Sequence, residues 1–443
     1  MKHLIYYIFL SLTMAFTACS DSGDDTDTNN GNGNGNENSD DKIEYKSVQQ
    51  RSFKRGVSYS FQMLEDVALL GPGVSWFYNW GPDISSQLNT ETKSQKLDFY
   101  PMAWNGAFSP EKIRAYKQAH PECEYILAFN EPNLTDQAHM TPQQAADQWP
   151  RLKALATELN MKIISPAMNY GTLANYSDPI KWLDEFFQLV PLSDIDGIAI
   201  HCYMGTPASL KSYVGLFKKY GKPIWMTEFC AWESYISNVS KQMSYMCDVL
   251  NYMECDPDVY RYAWFIPRTN GSVDSYPYMQ LLTKTKPYEL SDLGKVFVNF
   301  SSFDKSTYYT KDQVIPSAHY SALNMSESAT GSNWVNSVRI RPTTDETGVV
   351  EVCDFYSDQW VEYLINVSGS AKYNLDIRYA SYRGATIEVL IDGKANKTIE
   401  LPSTGEDNKW TTLTTEIQLE QGKHAIRIKM NKGSACFNWL RYK

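Results

Sequence analysis

Two glutamates stand in sequence contexts suited to acid–base and nucleophilic chemistry. Glu131 lies in the segment Phe129-Asn130-Glu131-Pro132-Asn133, and Glu228 lies in Trp225-Met226-Thr227-Glu228-Phe229. Hydrolysis of a glycosidic bond needs one carboxylic acid that protonates the leaving oxygen and a second carboxylate that attacks or stabilises the anomeric carbon. A lone glutamate at such a place is more often a rim residue in a salt bridge, because charged groups favour exposed positions. Two of them together are harder to dismiss, so both are candidate catalytic residues.

The elements that must position these glutamates are eight β-rich runs, each followed by a longer stretch compatible with a helix. The runs cover residues 54–60, 73–80, 96–104, 124–131, 161–169, 196–203, 223–229 and 260–265. Helix-start signals lie between them, for example Thr141-Pro142. This alternation over residues 53–300 predicts the α/β class and a (β/α)8 TIM barrel, with a doubly wound open sheet as the alternative.

In a TIM barrel the active site lies at the carboxyl ends of the strands. Glu131 ends the fourth run and Glu228 ends the seventh, so the two side chains are expected to face each other across a central cleft. A separation of about 5 Å would dictate a retaining reaction. We expect the pair to titrate as a coupled unit, with the negative charge of Glu228 helping to keep Glu131 protonated.

Aromatic residues make up 14% of the chain, with 12 Trp and 30 Tyr, which is more than a core requires. Pyranose rings stack on such side chains, and five tryptophans lie at or just past strand ends. We predict substrate contacts for Trp76, Trp80, Trp104, Trp232 and Trp264, although each could instead be a core residue. His201, at the end of the sixth run, is predicted to bind substrate, with a structural hydrogen bond as the alternative.

Several motifs together resemble one known family. They are Asn130-Glu131-Pro132-Asn133, Ser165-Pro166-Ala167, Trp182-Leu183, His201-Cys202-Tyr203, Trp225 to Phe229 and Arg261 to Phe265. Over about residues 55–300 the chain is similar to glycoside hydrolase family 128, clan A barrels that cleave β-1,3-glucan. The resemblance implies that Glu131 is the acid/base and Glu228 the nucleophile. It also implies that Asn130 binds a sugar 2-hydroxyl and that Tyr203 donates to Glu228.

After a linker at 301–312, residues 313–443 show short alternating strands that predict a β-sandwich of the jelly-roll type. The motifs Trp360-Val361-Glu362-Tyr363, Ile391-Asp392-Gly393 and Phe437-Asn438-Trp439 resemble a family 6 carbohydrate-binding module. That resemblance implies a sugar clamp of two aromatic residues, but the two places hold Asp354 and Asp407. The remaining candidates are Trp334, Tyr356, Tyr382 and Asn438. A structural calcium is a further expectation, although Ser317-Ala318-His319 replaces the acidic motif.

The N-terminal region has the anatomy of a bacterial lipoprotein. An apolar segment leads to Phe16-Thr17-Ala18-Cys19, which predicts a signal peptide over 1–18 and lipidation of Cys19, with an ordinary signal peptide as the alternative. Residues 19–52 are predicted to form a polar tether, which carries much of the net charge of −10. We therefore expect anchoring at the outer membrane, on its periplasmic or cell-surface side.

Composition also limits the classes of partner. There is no Lys/Arg-rich block, so nucleic acid is not expected as a partner, and no Cys or His spacing indicates a metal site or another cofactor. We expect a monomer that acts on a β-glucan polysaccharide. Two alternatives stay open: a non-catalytic glycan-binding surface lipoprotein, and a clan A enzyme acting on another β-glycan such as mixed-linkage glucan or mannan.

Overall fold

The computed structural model describes residues 51–324 and 337–443. The predicted signal peptide, Cys19, nearly all of the tether and Trp334 lie outside the described residues. Within the described part, none of the helices combines the length and hydrophobicity that crossing a bilayer takes.

The N-terminal domain alternates strands and helices along the chain. Its strands are β1 (Arg55–Ser58), β2 (Trp76–Tyr78), β3 (Asp98–Phe99), β4 (Tyr125–Leu127), β5 (Lys162–Ile164), β6 (Ile198–Cys202), β7 (Ile224–Phe229) and β8 (Val259–Trp264). The α-helices that follow them are α1 (Leu64–Leu70), α2 (Ser86–Ser94), α3 (Pro110–Ala119), α4 (Pro142–Leu159), α5 (Pro179–Leu189), α6 (Pro207–Phe217), α7 (Val239–Cys255) and α8 (Asp292–Asn299). Each predicted run overlaps one of these strands.

Parallel pairing closes these strands into a barrel, which confirms the predicted fold. Six strands pair in the order β3-β2-β1-β8-β7-β6, and β4 pairs with β5. Isolated bridges join the two groups, Met102 to Leu127 on one side and Ile164 to Gly197 on the other. Because β1 lies between β2 and β8, first and last strands are neighbours, which an open doubly wound sheet does not allow.

Aromatic side chains fill the barrel near the amino-terminal ends of its strands. The rings of Trp76 and Trp225 lie 5.4 Å apart, and Tyr100 and Tyr125 pack beside Trp225. Gly56 on β1 makes room for this layer, since a Cβ there would lie 2.4 Å from the Trp76 indole. The packed layer leaves the carboxyl ends of the strands to carry the polar groups.

The local sequence also determines where individual helices begin. Thr141 caps α4 in a capping box. Its hydroxyl accepts from the backbone N–H of Gln144, and the side-chain oxygen of Gln144 accepts from the backbone N–H of Thr141. Pro142 occupies the first turn, where its missing N–H costs nothing. The helix ends at Asn160, which adopts the left-handed conformation that asparagine tolerates well.

The C-terminal domain is built from antiparallel strands, which confirms the predicted β-sandwich. The strands are β9 (Ile315–Pro316), β10 (Ala322–Leu323), β11 (Arg339–Pro342), β12 (Val350–Tyr356), β13 (Trp360–Val367), β14 (Ala371–Ala380), β15 (Ala385–Ile391), β16 (Lys394–Leu401), β17 (Thr411–Leu419) and β18 (Gly422–Tyr442). The first half of β18 pairs with β13 and β15, and its second half with β12 and β14. This long strand therefore belongs to both faces. The sequence did not predict β9 to β12 or β16; of these, β9 and β10 have only two residues each.

The sandwich packs against the barrel through α7. Arg339 on β11 forms an ion pair with the buried Asp248, with one nitrogen–oxygen distance of 3.1 Å. Asn251 accepts from the Tyr320 hydroxyl at 2.8 Å and donates to Ser337 at 3.2 Å. Because these groups are buried on both sides, the two domains form one packed body rather than freely moving modules.

Candidate active site

Glu131 and Glu228 lie at neighbouring places on the carboxyl face of the barrel. Glu228 lies within β7. Glu131 lies beyond the end of β4 and comes immediately after Asn130, whose backbone N–H donates to the Trp104 carbonyl at 2.9 Å. Glu131 has φ of +43°, a left-handed conformation that is unusual for glutamate. Such backbone strain is typical of sites where function requires a particular side-chain direction. Both carboxylates are mostly buried, with Glu131 8% and Glu228 4% exposed.

His201 lies between the two carboxylates. One oxygen of Glu131, one oxygen of Glu228 and a ring nitrogen of His201 all lie within 4.8 Å of one another. The His201 Nδ1 atom is 2.9 Å from Glu131 Oε1 and 3.4 Å from Glu228 Oε2. Its side chain has no solvent-exposed surface. The prediction that His201 binds substrate is therefore wrong, because its ring contacts the two carboxylates from beneath the surface.

Three neutral donors hold Glu228. The Tyr78 hydroxyl donates to Oε1 at 2.6 Å, the Trp80 indole donates to the same oxygen at 2.7 Å, and the Tyr203 hydroxyl donates to Oε2. The contact of Tyr203 agrees with the sequence-based expectation. Both oxygens are thus oriented without a permanent positive charge beside them.

Glu131 has a sparser set of partners. The Asn169 side-chain amide donates to Glu131 Oε1 at 3.1 Å, and His201 Nδ1 faces the same oxygen. Neither Tyr78 nor Asn169 was named as a site residue from the sequence. Their signal was nonetheless present, since Tyr78 ends β2 and Asn169 ends the fifth predicted run, and both therefore lie at the carboxyl face.

Burial and mutual charge shift the acidities of this cluster. Burial raises the pKa of the Glu228 carboxyl and the charge of Glu131 adds to that rise, whereas His201, Tyr203 and Tyr78 oppose it. Burial alone would lower the pKa of the His201 ring, but the charges of Glu228 and Glu131 hold it above its ordinary value. A proton on His201 Nδ1 would therefore face an oxygen of Glu131 at 2.9 Å and an oxygen of Glu228 at 3.4 Å.

The structure divides the predicted aromatic contacts into two groups. Trp80, Trp104 and Trp232 are partly exposed near the site. Trp76 and Trp264 are fully buried, so their prediction as substrate contacts is wrong. Trp76 belongs to the barrel interior and donates to the Lys54 carbonyl at 3.0 Å, while Trp264 donates to the Met279 carbonyl at 2.7 Å.

Phe265 is a second aromatic residue of this region, after Tyr78, that was not predicted from the sequence. Its ring lies 6.0 Å from Trp80, 5.4 Å from Tyr203 and 6.2 Å from Trp232, so it joins these side chains into one aromatic wall. It directly follows Trp264, whose ring packs with the rings of Phe229 and Phe297. Because side chains alternate along a strand, a buried Trp264 turns its neighbour towards the other side.

The Asn130 side chain is positioned by Gln137, because its side-chain NH2 donates to the Gln137 side-chain oxygen at 3.2 Å. Its Oδ1 atom is buried and has no hydrogen-bond partner among the described residues. An unsatisfied polar atom of this kind costs stability unless another group satisfies it. This places a free acceptor next to Glu131 in sequence, and the binding of a sugar hydroxyl by Asn130 stays a prediction.

The candidate sugar contacts of the sandwich also fall into two groups. Tyr356 and Tyr382 are exposed by 52% and 57%, next to Asp354 and Asp407 respectively. Asn438 is fully buried and donates to Asp345 at 2.7 Å, so its proposed role in sugar binding is wrong.

The residues that replace the acidic motif do not fit a calcium site built from side chains. The Ser317 hydroxyl donates to the Phe437 carbonyl at 2.6 Å, and His319 pairs with the Tyr309 hydroxyl at 2.7 Å. Burial lowers the pKa of His319 to about 4. Calcium prefers several carboxylate or carbonyl oxygens, and residues 317–319 supply no carboxylate.

Family models match both domains. Residues 56–297 match the glycosyl hydrolase catalytic core, and residues 328–442 match the carbohydrate binding module of family 6. A further similarity, 25% identity over 236 residues, is to alkali-sensitive linkage protein 1 of Schizosaccharomyces pombe. The match spans 51% of this chain and 40% of the length of that yeast protein.

Two solved structures share the barrel over almost their whole length. A subgroup II endo-β-1,3-glucanase of glycoside hydrolase family 128 from Pseudomonas viridiflava is 35% identical with a TM-score of 0.52, over 56% of this chain and 98% of that one. Its counterpart from Sorangium cellulosum is 31% identical with a TM-score of 0.50, over 55% and 97%. The chain therefore belongs to the glycosyl hydrolase catalytic core family, as a glycoside hydrolase of family 128 with a C-terminal family 6 carbohydrate-binding module.

Proposed function

We propose that this enzyme cleaves β-1,3-linked glucan within the chain by a retaining mechanism, with Glu131 as acid/base and Glu228 as nucleophile. The observation that carries the mechanism is the approach of carboxylate oxygens of the two glutamates to within 4.8 Å. Retaining enzymes place their carboxyl groups about 5–5.5 Å apart, whereas inverting enzymes need about 6.5–9.5 Å to admit a water molecule. The linkage is supported by the two family 128 structures described as endo-β-1,3-glucanases.

In the first half of the reaction, Glu131 gives its proton to the glycosidic oxygen while a carboxylate oxygen of Glu228 attacks the anomeric carbon. The bond to the leaving sugar breaks, and a covalent glycosyl-enzyme forms. The three donors Tyr78, Trp80 and Tyr203 hold Glu228 in one orientation before the reaction begins. Such preorganisation removes the cost of orienting the nucleophile during the step.

His201 suits the movement of charge in this step. Glu228 loses its negative charge when the ester forms, and Glu131 gains one when it gives up its proton. The Nδ1 atom of His201 lies near both oxygens, so a protonated ring can stabilise the negative charge before and after the transfer. In the second half, Glu131 removes a proton from water, which attacks the anomeric carbon and releases Glu228.

One experiment tests substrate and mechanism together. The enzyme is incubated with linear β-1,3-glucan, branched β-1,3/1,6-glucan, mixed-linkage glucan and mannan, the products are sized, and their first anomer is identified by proton NMR. We expect short oligosaccharides from linear β-1,3-glucan with the β anomer appearing first. An α anomer appearing first would overturn the mechanism, and cleavage of mannan or mixed-linkage glucan alone would overturn the substrate.

We also propose that the enzyme is displayed on a membrane through acylated Cys19. This rests on the sequence, in which small residues precede Cys19 and a polar segment without apolar side chains follows it. Acyl chains would supply the anchoring, because residues 20–41 carry no apolar side chain. Fractionation of host cells tests the idea: Cys19→Ser should move the protein to the soluble fraction, and retention on the membrane would contradict it.

A further inference from the structure

We propose that the cleft between the barrel and the C-terminal module is a second binding site for a neutral glucan chain, built jointly by the two domains. The identity of the sugar rests on the proposed function above. The cleft has a volume of about 830 Å³, within the range of about 300–1,000 Å³ that is usual for ligand pockets. It is distinct from the pair Glu131 and Glu228, neither of which lines it.

Each domain supplies one wall of this interdomain cleft. The barrel wall comes from the first turns of two helices, with Val239, Ser240 and Met243 on α7 and Asp292 and Lys295 on α8. The module wall comes from the end of β11 and from the loop before β17, and it includes Arg341, Asp407 and Asn408. Neither domain alone encloses the space.

The charges on the walls indicate which ligand fits. Lys295 binds Asp292 on its own helix at 3.0 Å, and Arg341 binds the buried Glu351 at 2.6 Å. Since each cation already has an acidic partner within its own wall, the cleft offers no excess positive charge for a phosphate or a carboxylate ligand.

The exposed polar groups on the two walls suit a sugar. Ser240, Asp407 and Asn408 are exposed and offer a hydroxyl, a carboxylate and an amide to the cleft. A sugar hydroxyl both donates and accepts hydrogen bonds, so a neutral polyol can pair with all three groups. Met243 and Val239 add apolar surface on which the C–H face of a pyranose can lie.

The cleft lies on the same side of the barrel as the catalytic residues. Helix N-termini follow the carboxyl ends of strands in a (β/α)8 barrel, and the segment that leaves β7 after Glu228 reaches the cleft at Val239. Two tyrosines on the segments after β7 and β8 remain exposed, Tyr235 by 48% and Tyr276 by 47%. They offer ring faces to a glucan chain that runs from the catalytic groups towards the module.

The test fills the cleft in the full chain. Ser240→Trp places a bulky side chain at the barrel wall, and Ser244→Trp places the same side chain on an exposed position of α7 outside the cleft. We expect Ser240→Trp to raise KM on long linear β-1,3-glucan about tenfold, since a second site on one chain increases avidity. Its kinetics on an aryl β-1,3-trisaccharide should stay unchanged, as should both measurements for Ser244→Trp.

A second variant works from the opposite wall. Asn408→Ala removes a polar group from the module and should reproduce the rise in KM on the polymer without lowering Tm, whereas Asp407 is kept because it accepts from the Tyr382 backbone N–H at 2.9 Å. Unchanged KM on the polymer for either cleft variant would overturn the proposal. A fall in Tm with equal loss on both substrates would also overturn it, since that outcome indicates a structural role.

Direct binding separates this proposal from the proposed function. Glu131→Gln protein is titrated calorimetrically with a linear seven-unit β-1,3-gluco-oligosaccharide, with and without Ser240→Trp. Weaker binding in the Ser240→Trp background supports the cleft even if the unsubstituted enzyme fails to hydrolyse β-1,3-glucan. Equal binding in the two backgrounds refutes the cleft even if hydrolysis proceeds as proposed.

Discussion

The Nδ1 atom of His201 lies 2.9 Å from Oε1 of Glu131, on a ring that is fully buried at the centre of the catalytic cluster. Replacing this ring by an amide, His201→Gln, should lower kcat about 10²-fold because a preorganised donor to developing charge is lost. The pH–rate profile should change as well. Because the pKa of His201 is raised above its ordinary value, loss of its proton contributes to the fall in rate as pH rises, and His201→Gln should lack that contribution.

The control for this substitution is His120→Gln, which removes a buried histidine remote from the carboxylates. His120 stacks on Tyr116 with ring centroids 4.2 Å apart, and its Nδ1 atom lies 3.3 Å from the Glu122 carboxylate, so both of its contacts are remote from Glu131 and Glu228. An unchanged pH profile in His201→Gln, together with a loss of Tm equal to that of His120→Gln, would show that His201 is structural.

The roles of the two glutamates can be separated with an activated aryl glycoside. Both Glu131→Gln and Glu228→Gln should lower turnover of polysaccharide by several orders of magnitude, because each removes an interaction of the transition state. An aryl leaving group needs no protonation, so its release should survive Glu131→Gln far better than Glu228→Gln. Burst kinetics measure this step, and equal losses would reverse the assignment.

Tyr78→Phe tests the orientation of the nucleophile. It deletes the hydroxyl that donates to Glu228 Oε1 at 2.6 Å and keeps the buried ring. A hydrogen bond to a charged group contributes about 1.5–3 kcal/mol, so kcat/KM should fall about 10- to 100-fold. Tyr116→Phe, which changes a buried tyrosine elsewhere in the barrel, should keep full activity. A matching loss in that control would point to folding rather than to Glu228.

Stability should depend on pH through Glu228. Its folded pKa is raised, chiefly by burial, so its contribution to stability is complete below the pKa of the unfolded chain and is lost as pH rises through the folded pKa. Glu228→Gln removes this titration. We therefore expect Glu228→Gln to be more stable than the unsubstituted enzyme near neutral pH, with a difference that shrinks as pH falls to about 4. A constant difference in Tm from pH 4 to pH 8 would contradict this account.

The packing of the module on the barrel predicts an asymmetric response at the Asp248–Arg339 ion pair. Arg339→Met leaves the Asp248 carboxylate buried without its partner and should cost about 3–5 kcal/mol of stability. The double variant Asp248→Leu with Arg339→Met removes both charges and should recover most of that loss. Thermal unfolding measures both variants, and a loss in the double variant as large as in the single one would contradict the explanation.

Local patterns in the sequence were sufficient to predict the architecture. Eight β-rich runs separated by helix signals are compatible with only a few topologies. Glu131 and Glu228 lie at the carboxyl ends of two of these runs, which placed both side chains on one face of the barrel. The contact of Tyr203 with Glu228 was implied by the resemblance to family 128 and not by the local pattern of residues.

Tertiary structure alone decided which aromatic rings line the active site and which groups form hydrogen bonds to the two catalytic carboxylates. Trp264 and Phe265 are neighbours in the sequence, yet Trp264 is buried against Phe229 and Phe297 whereas Phe265 belongs to the aromatic wall. Alternation places the two side chains on different sides, and only the packing decides which side is the core. His201 likewise became the partner of two carboxylates. It lies on β6 beside Glu228 on the neighbouring β7, and closure of the barrel brings Glu131, 70 residues earlier in the chain, to the same ring. The cleft between the domains depends on how α7 and β11 pack, a long-range contact for which no local residue pattern exists.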